Sequence, residues 1–132
     1  MGMLVNLKCN KCGYETNLGL GGGRTFNRLE SVISFFEKEI QTKIRELVDG
    51  GVNTWNVYKE IGICEKCGKI SAIAVFKATD ASGKTIEYHS RCACGSYSID
   101  LKDFMLVLDG KETIYCPACG DILEATHTGY WD

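Results

Sequence analysis

The residues with the clearest chemical potential in this 132-residue chain are its eight cysteines, which fall into four close pairs. They are Cys9 and Cys12, Cys64 and Cys67, Cys92 and Cys94, and Cys116 and Cys119, and a glycine follows each pair. Two thiolates two or three positions apart can converge on one ion around a tight turn, and the glycine allows the chain to leave that turn. Eight thiolates suffice for two tetrahedral tetrathiolate sites, which implies two Zn²⁺ ions, or iron at one of them. Four protein ligands per ion leave no position for water or substrate, so such ions stabilise structure and do not catalyse. A thioredoxin-like redox pair is disfavoured because no βαβ pattern surrounds any of the four. Buried, unligated thiols are disfavoured because every cysteine has a close neighbour in sequence.

Four pairs can combine into two sites in three ways. The 24 residues between Cys67 and Cys92 read as strand, turn and strand, which would bring those two knuckles to one end of a hairpin. From Cys64 to about Leu101, the order Cys-x-x-Cys, hairpin, Cys-x-Cys-Gly resembles the zinc ribbons of transcription elongation factor S and of small RNA polymerase subunits. The outer knuckles, Cys9-Asn10-Lys11-Cys12-Gly13-Tyr14 and Cys116-Pro117-Ala118-Cys119-Gly120, resemble the two halves of rubredoxin, here 103 residues apart. These resemblances favour a nested grouping, with Cys64, Cys67, Cys92 and Cys94 on one ion and Cys9, Cys12, Cys116 and Cys119 on the other. A sequential pairing of neighbouring knuckles stays open. The rubredoxin likeness implies an alternative function, single-electron transfer with iron at the outer site. The elongation-factor ribbon carries an Asp-Glu pair at its hairpin tip. Here Asp80 is followed by Ala81, Ser82 and Gly83, so the second acid is missing.

These knuckles need elements to position them. Asn27 with Glu30 has the form of a capping box, and Leu29, Val32, Ile33, Phe36, Ile40, Ile44 and Leu47 recur at helical spacing. They predict one long amphipathic helix over about 28–48, ended by Asp49-Gly50-Gly51. Alternation from Trp55 to Ile63 predicts a strand into the second knuckle. Residues 70–79 and 84–91 form two arms around the Asp80–Gly83 turn, and 97–101 and 105–108 read as short strands. The expected class is α+β: small antiparallel sheets holding two zinc-ribbon or rubredoxin-like sites, with the helix packed across them. The chain reads as one metal-stapled domain over 1–132. An inner ribbon spans about 55–101, the outer site is drawn from 7–14 and 114–121, and the helix is an insertion.

Other features carry less. The glycine-rich stretch from Leu18 to Arg24 reads as a loop, and within it Gly21, Gly22, Gly23 and Arg24 precede the helix and could cradle an anion, although the phosphate-loop pattern is absent and a plain glycine loop is the favoured reading. His89 and His127 have no evident catalytic partner in sequence. Lys8, Lys11, Lys66, Lys69 and Arg91 flank knuckles, where they offset thiolate charge or meet nucleic acid. The balance of 15 basic against 17 acidic residues is −2. Metal-bound thiolates move it to about −6, which disfavours nucleic acid as the partner. No apolar run approaches membrane length, and the start lacks a secretory pattern, so a cytoplasmic location is expected. The expected role is a non-catalytic adaptor that binds a protein. The electron carrier is the alternative, and a nucleic-acid or transcription-associated factor is third.

Overall fold

The computed structural model describes residues 2–23, 26–52 and 54–131. Among the described residues seven strands build two antiparallel sheets, and three helices lie among them. The strands are β1 (Gly2–Lys8), β2 (Glu15–Leu20), β3 (Thr54–Cys64), β4 (Ile70–Thr79), β5 (Thr85–His89), β6 (Ile99–Lys102) and β7 (Glu124–Trp131). The helices are α1 (Leu29–Val32), α2 (Lys38–Asp49) and α3 (Phe104–Leu108). One sheet has the order β2-β1-β7 and the other β5-β4-β3-β6. Every strand of the second lies between β2 and β7 in the chain, so the two are termed the outer and the inner sheet.

The two sheets repeat one plan. In each, a central strand enters a Cys-x-x-Cys turn and returns as its neighbour, and the strand following the second knuckle pairs on the other side. The register repeats as well. Lys8 lies opposite Glu15, and Ile63 lies opposite Ile70. Each time, the residue before the first cysteine faces the third residue after the second one.

Alternation on these strands supplies two cores. Val5, Leu7, Leu18 and Leu20 of the outer sheet pack with Ile61 and Ile70 of the inner sheet and with Val107, Ile114 and Leu123. Farther along the same inner-sheet face, Val57, Ala74, Phe76 and Ala78 pack with Phe26, Val32, Ile33, Phe36 and Ile44. Lys59 sits on this face between the cores. Its backbone bonds both ways with Gly21, at 2.8 and 2.9 Å, tying the sheets together. Its ammonium lies 4.6 Å from the ring centre of Phe35 and 6.0 Å from that of Trp131, cation–π contacts that offset its removal from water. The Trp131 indole N–H lies within hydrogen-bonding distance of the carbonyls of Met3 and Leu20, at 3.2 and 3.1 Å. Phe35 and Trp131 therefore have packing roles.

The long helix over 28–48 is not formed. α1 has four residues and runs into a 3-10 turn at Ile33–Phe35, Phe36 is extended, and α2 begins at Lys38. Burial explains the break. Val32, Ile33 and Phe36 are at most 6% exposed, because the bend turns all three into the second core. One straight helix of about 30 Å would carry its two ends apart along the sheet. The carbonyl freed at Phe36 accepts from the Gln41 side chain at 2.8 Å, which satisfies it in place of a helical amide. The expected capping box is also absent: Arg28 occupies the N-cap position without a side-chain bond.

Two further expectations change. Residues 105–108, read as strand, belong to α3. Its cap is Asp103, which accepts from the amides of Met105 and Leu106 at 2.9 and 3.4 Å. Leu18, Gly19 and Leu20, read as loop, belong to β2, where Leu18 and Leu20 are buried. Among the described residues no helix is long and apolar enough to cross a membrane.

Candidate metal centres

All four knuckles are closed by the same two backbone hydrogen bonds. The glycine amide donates to the carbonyl of the first cysteine: Gly13 to Cys9 at 3.0 Å, Gly68 to Cys64 at 2.8 Å, Gly95 to Cys92 at 2.8 Å and Gly120 to Cys116 at 2.9 Å. The first cysteine's amide donates to the residue after that glycine: Tyr14, Lys69, Ser96 or Asp121. The four glycines have φ between 79 and 95°, the left-handed region in which a side chain is strained. The shorter Cys92-Ala93-Cys94 turn keeps both bonds with one residue fewer. In every knuckle the first cysteine is buried and the second exposed.

The thiols converge in the nested grouping. The sulfurs of Cys9, Cys12, Cys116 and Cys119 all lie within 4.8 Å of one another, as do those of Cys64, Cys67, Cys92 and Cys94. Closest across the knuckles are Cys9 to Cys119 at 3.4 Å and Cys12 to Cys116 at 3.5 Å in the outer cluster. In the inner cluster Cys64 to Cys94 and Cys67 to Cys92 are both 3.6 Å. A tetrahedral ion with metal–sulfur bonds of about 2.3 Å separates its sulfurs by about 3.8 Å, so each cluster accepts an ion with a small expansion. Two such groups can hold metal ions and are compatible with zinc-ribbon-like sites.

The electrostatics suit a cation among the sulfurs. The Cys12 amide, 3.5 Å from the Cys9 sulfur, pulls that thiol down to about 7. The Cys67 amide, at 3.4 Å, pulls Cys64 down to about 6. Their neighbours move the other way. The Lys69 amide pulls Cys67 down, but the sulfurs of Cys64 and Cys92 outweigh it and push it up to about 11. Cys119 rises to about 12 despite the Asp121 amide, chiefly through Cys9 and burial. Four sulfurs this close do not all ionise without a positive charge among them.

The remaining candidates are scattered. His89 bonds through Nδ1 to the Ser90 carbonyl and His127 through Nε2 to that of Gly129, both at 2.8 Å, and neither joins a cysteine cluster. Asp80 organises the β4–β5 turn by accepting from the Ser82 amide and hydroxyl and from the Lys84 amide. Of the suggested anion loop, the Gly21 amide is committed to Lys59, Gly22 and Gly23 adjoin Phe26, and Arg24 lies outside the described residues. Arg91 is paired with Glu37 at 2.9 Å. Lys8 lies between Glu15 and Glu124 on the outer sheet. A group that sequence reading passed over is Glu60, half-buried on β3. It accepts from the Phe104 amide at 3.2 Å, and burial pushes its carboxyl up to about 7. Its neighbours in the alternating β3 pattern gave no sign of this, since the covering segment is 44 residues away.

Comparison with known protein families, curated proteins and solved structures finds no match.

Proposed function

We propose that this protein is a zinc-stapled, non-catalytic binding module whose partner is another protein. The observation that carries the reading is the convergence of eight thiols into two closed groups of four, each within 4.8 Å. Such a donor set satisfies a tetrahedral ion completely and leaves no open position for chemistry. Four thiolates suit Zn²⁺, an ion with no redox chemistry of its own, and the two zinc-ribbon-like units then serve as rigid scaffolds for the surfaces between and around them. Metal analysis of purified protein tests this. Two equivalents of zinc and a colourless solution are expected, and fewer than two bound ions per chain would overturn it. Affinity capture from the native source, with metal-stripped protein as the control, then reads the partner.

A second reading rests on a difference between the sites. In the outer cluster both knuckles direct an amide at a sulfur, Cys12 to Cys9 at 3.5 Å and Ala118 to Cys116 at 3.4 Å. Amides aimed at thiolates stabilise a reduced, more negative centre, which suits iron carrying single electrons. A red protein with one iron per chain would establish the electron carrier in place of the all-zinc module.

A further inference from the structure

The strand plan that builds the outer site leaves one side of its second knuckle apolar and exposed. Among the described residues seven large hydrophobic side chains are exposed, and four of them fall between residues 105 and 122. They are Met105 at 43%, Leu106 at 38%, Tyr115 at 62% and Ile122 at 60%. Tyr115 and Ile122 face each other across a β-bridge, so their side chains stand together on one side of it. The core does not need them, because the adjoining Ile114 and Leu123 already fill it at 1% and 6% exposure. α3 repeats the arrangement, with Val107 buried while Met105 and Leu106 point outward.

The segment is held in shape before anything binds. Asp103 caps α3, and the Leu106 carbonyl accepts from the amides of Lys111 and Glu112 at 2.9 and 3.2 Å. Its charge is mainly acidic. Within 103–124 Asp103, Asp109, Glu112, Asp121 and Glu124 outnumber Lys111, and of these Glu124 is faced by Lys8 from the neighbouring strand and accepts from the Asn10 side chain at 2.8 Å. The adjacent Lys102 is engaged by Glu112 and Asp100, at 3.1 and 3.4 Å. A divalent ion among four thiolates adds about two further negative charges beside it.

We infer that the outward side of α3 and the Cys116–Cys119 knuckle docks a basic, amphipathic polypeptide segment. Its apolar residues cover Tyr115, Ile122, Met105 and Leu106, and its lysines or arginines meet the acidic rim. Charge complementarity selects this occupant and excludes a polyanion. The inference deepens the adaptor reading and rests on it.

The test uses the full zinc-loaded chain and a fluorescein-labelled 18-residue Lys/Leu amphipathic helix, with the Glu/Leu counterpart as control, followed by anisotropy. The basic peptide is expected to bind at least tenfold tighter than the acidic one. The Tyr115→Ser/Ile122→Ser double variant and the Asp109→Lys variant should each weaken it at least tenfold. Tyr97→Ser, exposed elsewhere, should leave it unchanged. Equal binding of both peptides, or full binding by Asp109→Lys, overturns the inference, as does self-association through this face in sedimentation velocity. Metal content is measured on every sample. Two zinc ions with no docking removes this surface alone, whereas absent metal removes the adaptor reading beneath it. Asp109 is exposed at the end of α3, so its variant answers the question even where substitution beside Cys116 disturbs the knuckle.

Discussion

The outer and inner sheets share strand order, register and knuckle geometry, yet their clusters are assembled over very different lengths of chain. The inner sulfur contacts join residues 25 and 30 apart, and the outer ones join residues 104 and 110 apart. Closing the longer loop costs about 1.2 kcal/mol more in chain entropy, from the logarithmic dependence on length. The larger difference is dependence. The inner unit lies within the loop that the outer one closes, and the first core joins Ile61 and Ile70 of the inner sheet to Val5 and Leu7 of the outer. The same local motif can thus be a local staple in one place and a closure of the whole chain in another.

The largest test removes one ligand from each unit. Cys64→Ser should abolish metal at both sites and expose amides throughout, because the outer cluster is held in register by the folded inner sheet. Cys116→Ser should lose one metal equivalent while leaving slow amide exchange on β3 and β4. Each ion contributes on the order of 10 kcal/mol in small metal-folded domains, so the effects are read as stoichiometry and protection. Identical behaviour of the two variants would erase the hierarchy.

Next come the cores. Phe76→Ala, at a fully buried position of the inner sheet, should cost about 3–5 kcal/mol, and Leu7→Ala on the outer sheet about 2–5 kcal/mol. Denaturation followed by hydrogen exchange should show Phe76→Ala loosening both sheets and Leu7→Ala chiefly the outer one.

A smaller effect lies at the joint. Glu60 of β3 holds the Phe104 amide at the start of α3, which leads toward the outer site's second knuckle. Burial raises its carboxyl from 4.5 to about 7, the Phe104 amide partly opposing and Asp103 adding to the rise. A raised acid contributes stability fully below pH 4.5 and loses it as pH rises through 7. Glu60→Gln keeps an acceptor for the amide without the charge. It should be more stable than the parent by about 1 kcal/mol at pH 8, after allowance for its partial exposure, and equal to it at pH 4. Thermal melts at both values check this, and a constant difference would remove the carboxyl from the account.

An effect of similar size is the most symmetric. Gly13→Ala and Gly68→Ala place a Cβ in open space, at φ of 83 and 79°. Each should cost about 1–2 kcal/mol of backbone strain, and unequal costs read from paired melts would mark the knuckles as energetically different.

The features legible in sequence are those whose causes are local. Cys-x-x-Cys-Gly is readable because the turn, its two hydrogen bonds and its left-handed glycine lie within six residues. The strands leading into and out of Cys64 and Cys67 are readable because hydrophobic alternation runs along each. β2 was hidden by Gly19 and Gly21, which resemble loop when Trp131, packed over Gly19 from the far end of the chain, is not in view. The helix over 28–48 satisfied every periodicity rule and still broke at Phe36, since the second core rewarded burying Val32, Ile33 and Phe36 over continuing the spiral. α3 was masked in the same way, its five residues being too few to show a helical period.

By itself, then, the sequence determined that eight thiols would sit in four tight turns, ready to bind in pairs, because that information is carried by neighbouring residues. Only the tertiary structure decided which turns meet. Cys9 and Cys119 come together because β1 is paired on both sides, with β2 and with β7. That pairing depends on cores and sheet contacts drawn from nearly the full length of the chain.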